Sequence, residues 1–158
     1  MSIQVGDKLP SVTLKTFGGD GPEEISTDDI FAGKKVVLFA LPGAFTPGCS
    51  AAHLPGYVVN VDAIKAKGVD TVACLAVNDA FVMGAWGKAQ NAEHILMLAD
   101  GDGEFTKAVD LELDLRGKGL GVRSQRYAMI VEDGVVKNLE IDGGDIKESS
   151  ADHILSLL

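Results

Sequence analysis

Of the two cysteines in this chain of 158 residues, one stands where it could do chemistry. Thr46-Pro47-Gly48-Cys49-Ser50-Ala51-Ala52-His53 reads as the start of a helix, with Thr46 as N-cap and Pro47 at the first helical position. Cys49 then falls in the first turn, facing unpaired backbone N–H groups and the positive end of the helix dipole. Both favour the thiolate, the nucleophilic form. Gly48 removes a side chain beside the sulfur, and Pro42 and Pro47 stiffen the loop, so a small substrate could approach closely. A free cysteine more often packs as a small hydrophobe, and the cap pattern argues against that reading here.

Other chemistries find less support. Hydrolysis by a thiolate calls for an oriented histidine base. His53 lies four residues after Cys49 and could share its helix face, but a capping or packing role is expected for it. His94 and His153 lie in unrelated segments without a second ligand at a metal-binding interval, and no Cys-x-x-Cys pair occurs, so no metal is expected. Gly117-Lys118-Gly119-Leu120-Gly121 matches neither a Walker loop nor a dinucleotide fingerprint and reads as a mobile loop. Cys74 sits in the apolar run Val72-Ala73-Cys74-Leu75-Ala76-Val77, which argues for a buried structural role.

The elements that must position Cys49 are legible from periodicity. Lys35 to Leu41 is continuous in apolar residues, as a central strand covered on both faces would be, and Pro42-Gly43 ends it. Tyr57 to Lys67 has helical spacing with Gly68 beyond it, and Thr71 to Val77 is a second strand. Asn78-Asp79 can cap a helix through Phe81, Val82, Ala85 and Trp86, followed by a strand from Ile95 to Ala99. Tyr127 to Glu132 and Val135 to Glu140 flank Asp133-Gly134, a hairpin signal, so the sheet is mixed; Ala151 to Leu158 reads as a short docking helix. The alternation predicts an α/β fold with a central mixed sheet flanked by helices, in a single domain over 1–158.

A net charge of −9 opposes a phosphate-binding surface, so nucleic acid is excluded as an expected partner. No apolar run is long enough to span a membrane, and Met1 to Asp7 lacks the basic-then-apolar pattern of a secretory leader. Two cysteines form no disulfide framework, which suits a reducing, cytoplasmic compartment.

Pro42-Gly43-Ala44-Phe45-Thr46-Pro47-Gly48-Cys49-Ser50, continuing to His53-Leu54-Pro55-Gly56, resembles the peroxiredoxin family, in particular its type II, peroxiredoxin-V-like branch. Further likeness lies in Ala73 to Met83 and in Arg123-Ser124-Gln125-Arg126-Tyr127-Ala128-Met129, so it covers nearly the whole chain. The resemblance implies a thioredoxin-like fold with Cys49 as the peroxidatic cysteine. It also implies Thr46 in contact with the peroxide, Pro42 shielding the pocket and Arg126 approaching the thiolate and peroxide oxygens. Hydrogen peroxide and alkyl hydroperoxides are the implied substrates, with no metal or organic cofactor.

No cysteine follows Cys74, so the late resolving cysteine of some branch members is missing. The resemblance therefore implies an external reductant, glutathione or a glutaredoxin, or thioredoxin. It also implies a homodimer packed through active-site loops, with Phe45, Phe81 and Trp86 as candidate contributors. Two other readings use the same residues: a peroxide sensor that signals through the oxidised thiol, and a non-enzymatic thioredoxin-like interaction or holdase module.

Overall fold

The computed structural model describes Ser2 to Leu158; Met1, the first residue of the N-terminal stretch considered above, lies outside the described residues. Its centre is the apolar run after Lys34, which forms strand β3 (Lys35–Ala40). In chain order the other strands are β1 (Thr13–Phe17), β2 (Pro22–Ser26), β4 (Thr71–Ala76), β5 (Leu96–Ala99), β6 (Glu112–Leu115), β7 (Gly121–Ser124), β8 (Arg126–Glu132) and β9 (Val135–Asp142). The helices are α1 (Thr27–Phe31), α2 (Leu54–Ala66), α3 (Ala80–Ala89), α4 (Glu104–Ala108) and α5 (Ala151–Leu157).

Among the described residues, seven strands form one sheet in the order β2-β1-β5-β4-β3-β8-β9, while β6 and β7 pair separately. Strands β3, β4 and β5 run parallel, whereas β8 is antiparallel to β3 and to β9, and β1 is antiparallel to β5 and β2. The mixed sheet expected from the Asp133-Gly134 signal is therefore present. Both turn residues have positive φ, 48° and 77°, as the tight two-residue hairpin requires.

Alternation along β3 sorts the core. Val37 and Phe39 face α2, α3 and α5 through Leu54, Tyr57, Ile64, Met83, Trp86 and Ile154. Val36, Leu38 and Ala40 face α1 and α4 through Ile30, Phe31 and Phe105. A continuous apolar strand is what two covered faces demand. Ala128 and Ile130 of β8 lie on the α2 side, so Arg126, two residues earlier, is set towards α2 as well. Among the described residues, no helix is long and apolar enough to cross a membrane.

One expectation is corrected, and one hairpin had no sequence signal. Gly117 to Gly121 is not a free loop: a short 3-10 turn over Arg116–Lys118 leads into β7, which pairs with β6 in register from Glu112↔Ser124 to Leu115↔Gly121. The N-terminal hairpin of β1 and β2 was not foreseen, because Pro22-Glu23-Glu24-Ile25-Ser26 carries an edge strand's charge and proline instead of an apolar run.

Candidate active site

The site lies beyond the carboxyl end of β3, where the chain must turn before α2 begins. Leu41 N–H still donates to Leu75 O (3.3 Å), which keeps the strand exit tied to β4. Ala44 N–H then donates to the side-chain oxygen of Asn78 (2.9 Å). The Asn78-Asp79 pair thus divides its work: Asp79 caps α3 by accepting from Val82 N–H (2.8 Å), and Asn78 pins the loop. Phe45 holds a φ of 63°, in the left-handed region that non-glycine residues avoid, so the loop stores local strain.

The helix starts where expected, with Pro47 its first residue and Ser50 N–H donating to Thr46 O (3.0 Å). Thr46 does not cap it with its side chain: the hydroxyl donates to Gly43 O (2.6 Å). That fixes the rotamer and leaves the oxygen's lone pairs free to accept. Cys49 to His53 forms a π turn, closed by Leu54 N–H to Cys49 O, before α2 continues in regular geometry. Such turns concentrate at functional sites.

Cys49 is only 1% exposed. Arg126 Nη2 donates to its Sγ (3.2 Å), and Arg126 Nη1 donates to His53 Nδ1 (2.7 Å). A guanidinium can only donate, so the sulfur and the imidazole nitrogen must both accept. His53 is therefore neutral with its proton on Nε2, and that N–H donates to Ser149 O (3.1 Å). Burial, then the positive charge of Arg126, pushes the His53 pKa down from 6.5 to about 4, which agrees with this assignment.

Ser149 O also accepts from Tyr57 OH (2.7 Å), using its second lone pair. The ring of Tyr57 stacks on Phe39 at 3.8 Å between centroids. Asp142, the register partner of Arg126 in the β8–β9 ladder, accepts from the backbone N–H groups of Lys147, Glu148 and Ser149 (3.0, 3.0 and 2.9 Å) and from Ser149 Oγ (2.6 Å). Burial alone would raise its pKa, but these hydrogen bonds outweigh it and hold the carboxyl below its usual value. The segment carrying Ser149 is thereby fixed.

Pro42 is half-buried at the loop's start, and Arg123 Nη1 donates to its carbonyl (3.4 Å). Gly48 is exposed beside the sulfur; a Cβ there would lie 3.5 Å from Arg126 Nη2 and 3.8 Å from Ile146 Cδ1. Pro42, Thr46 and Cys49 thus occur on one loop-to-helix segment, and Arg126 reaches Cys49 across 77 residues of sequence. Sequence reasoning missed Ser149 and Asp142, and gave His53 packing without its link to Arg126. The available signal was the two-residue period that sets Arg126 on the same side as α2.

Cys74 is fully buried in the same core layer as Cys49. Burial, then proximity to Cys49, pushes its thiol well above the ordinary value, consistent with the structural role. Trp86 corrects another expectation: it is 0% exposed, its Nε1 donating to Ser50 Oγ (3.1 Å), so it forms no surface contact, whereas Phe45 and Phe81 are 56% and 65% exposed. His153 has neighbours that its spacing did not reveal, Glu148 at 3.3 Å and Glu140 at 3.7 Å.

A buried sulfur that accepts from a guanidinium, three residues after a threonine and next to an exposed glycine, suits attack on a small polar oxidant. Residues 4–155 match the Redoxin family model. Peroxiredoxin-2E, chloroplastic, of Arabidopsis thaliana is 49% identical, over 99% of this chain and 70% of its own. The chain belongs to the peroxiredoxin family. Reduced Prx3 of Vibrio vulnificus in complex with H2O2 superposes with a TM-score of 0.95 at 56% identity, covering 98% of both chains. Peroxiredoxin 5 of Alvinella pompejana superposes with 0.86 at 39% identity, over 98% and 96%. The thioredoxin-like fold and the peroxiredoxin-V-like likeness are both borne out. The peroxiredoxin is a thiol-dependent peroxidase: its substrates are peroxides, and a thiol reduces it.

Proposed function

We propose that Cys49 is the peroxidatic thiolate, that Thr46 and Arg126 bind and polarise the peroxide, and that Pro42 shields the pocket from water. The observation that carries this reading is the 3.2 Å contact from Arg126 to a sulfur that is 1% exposed. The thiolate attacks one peroxide oxygen, an S–O bond forms as the O–O bond breaks, and the other oxygen leaves as water or an alcohol after taking a proton. Sulfur is oxidised by two electrons and the peroxide is reduced by two. Arg126 stabilises charge growing on the leaving oxygen, beside a sulfur that is 1% exposed. Burial of the sulfur favours hydrogen peroxide and slender alkyl hydroperoxides.

The resulting Cys49 sulfenic acid is reduced by an external thiol, because no cysteine follows Cys74 and Cys74 itself is sealed in the core. Glutathione or a glutaredoxin is the reductant favoured by the family likeness, with thioredoxin the other choice. The exposed Phe45 and Phe81 rings support a homodimer through the active-site loops. The paucity of cysteines favours a cytoplasmic enzyme acting as one domain over 1–158.

The test is to mix reduced protein with substoichiometric hydrogen peroxide in a stopped-flow instrument. Trp86 reports the reaction, since its indole bonds to Ser50 beside Cys49. Rapid oxidation confined to Cys49 by mass spectrometry is the expected result. Oxidation no faster than that of a free thiol would overturn the reading.

A further inference from the structure

One guanidinium packed against the active-site loop has no part in the peroxide step above. Arg123, half-buried on β7, donates from Nε to Leu120 O (2.8 Å) and from Nη1 to Pro42 O (3.4 Å). A Cβ on Gly43 would lie 2.8 Å from Arg123 Nη1 and 3.2 Å from Thr46 Cγ2, so Arg123, Gly43 and Thr46 form one patch on the active-site loop. Glycine is what permits that approach. Guanidinium carries five N–H donors in a planar fork, and the two carbonyls occupy only part of it. Among the described residues, no carboxylate pairs with Arg123, although the chain has 23 acidic residues against 14 basic.

A cation held in place with an unfilled planar edge is suited to a carboxylate, which it can bind through two parallel hydrogen bonds. Hydrogen peroxide is neutral and has no use for it. An anionic thiol does, because the net charge of −9 repels it at long range and only a local cation can offset that repulsion. We propose that Arg123 docks a carboxylate of the resolving thiol and makes the enzyme selective for small carboxylate-bearing thiols over neutral ones. This rests on the reading that an external thiol reduces Cys49. In that step the thiol sulfur attacks the sulfenic sulfur, an S–S bond forms as the S–O bond breaks, and hydroxide departs with the thiol's proton as water. A second thiol then attacks the mixed disulfide and releases the Cys49 thiolate. Arg123 touches none of the reacting atoms; it holds the far end of the reductant.

The experiment oxidises the protein with one equivalent of hydrogen peroxide and follows its reduction by 3-mercaptopropionate or by 2-mercaptoethanol, at matched thiolate concentration. The readout is the ratio of the two rate constants. Arg123→Gln is expected to lower that ratio about tenfold, and Arg123→Lys, a point charge without the fork, to lower it less. Arg123→Lys keeps the charge and most of the side chain's bulk, which keeps the test decisive if Arg123→Gln does not fold. A mere disturbance of the Pro42 loop would slow both thiols alike. A ratio unchanged within twofold in both variants overturns the proposal. If neither thiol reduces the oxidised wild type, the external-thiol reading itself falls and the docking proposal falls with it.

Discussion

His53→Gln tests whether a neutral buried imidazole holds Arg126 against Cys49. The imidazole is 1% exposed and makes two hydrogen bonds, one to the guanidinium and one to Ser149 O. Its pKa falls from 6.5 to about 4 on folding, through burial first and Arg126 second. Between those values the unfolded chain binds a proton that the folded chain refuses. Stability from this residue is therefore intact above pH 6.5 and lost as pH falls towards 4. At about 1.36 kcal/mol per pH unit, the whole loss is about 3 kcal/mol, of which about 2 kcal/mol has gone by pH 5. Glutamine can take up both hydrogen bonds but cannot titrate. Urea unfolding of wild type and His53→Gln at about pH 7.5 and pH 5 should show the wild type losing about 2 kcal/mol more than the variant. A difference between the two proteins that does not change with pH would refute the assignment of a neutral, Nε2-protonated His53. Because Arg126 is positioned through His53, His53→Ala, which offers no acceptor, should oxidise more slowly with peroxide, though less so than Arg126→Ala.

The other expectations concern groups around the same sulfur. Cys49→Ser should abolish peroxide turnover, whereas Cys74→Ser should keep it within about twofold while losing about 1–3 kcal/mol of stability for a buried hydroxyl without a partner. Arg126→Ala should slow Cys49 oxidation by about 10²–10³-fold in stopped-flow, as removal of a donor to developing charge does elsewhere; a full rate would sink the electrostatic role. Asp142→Asn should cost about 1–3 kcal/mol by urea unfolding. It should also remove the acid-linked loss that the wild type shows as its depressed carboxyl protonates, a stability present above the unfolded carboxyl's pKa and lost below it.

The parts of the fold that were legible are those whose signals are local. β3 announces itself by six residues of nearly unbroken apolar chain, and the β8–β9 turn by Asp133-Gly134, because local sterics allow few alternatives. Strands β2, β6 and β7 escape because edge strands with polar faces look like loops until their partners are known. The same divide runs through the site. Pro42, Thr46 and Cys49 share one segment with cap residues and prolines that betray its geometry. Arg126 lies far away in sequence, and only the family likeness associated it with Cys49 in advance. The π turn was invisible, since Cys49 to His53 has nothing in its composition to distinguish it from the first turn of an α-helix.

What joins these distant parts is a constraint on donors and acceptors. Arg126 can only donate, so it needs two acceptors, and Cys49 Sγ and His53 Nδ1 supply them. His53 can accept there only when neutral, and its remaining N–H, buried, needs an acceptor in turn. Ser149 O provides it, in a segment anchored by Asp142, which stands opposite Arg126 in the β8–β9 ladder. The polar path thus leaves Arg126 through a side chain of the π turn and returns to its cross-strand neighbour. A helix terminus alone would leave the direction of the sulfur's principal donor unspecified. The hairpin end fixes it, so changes at Asp142 or His53 act on the guanidinium although neither residue is hydrogen-bonded to the sulfur.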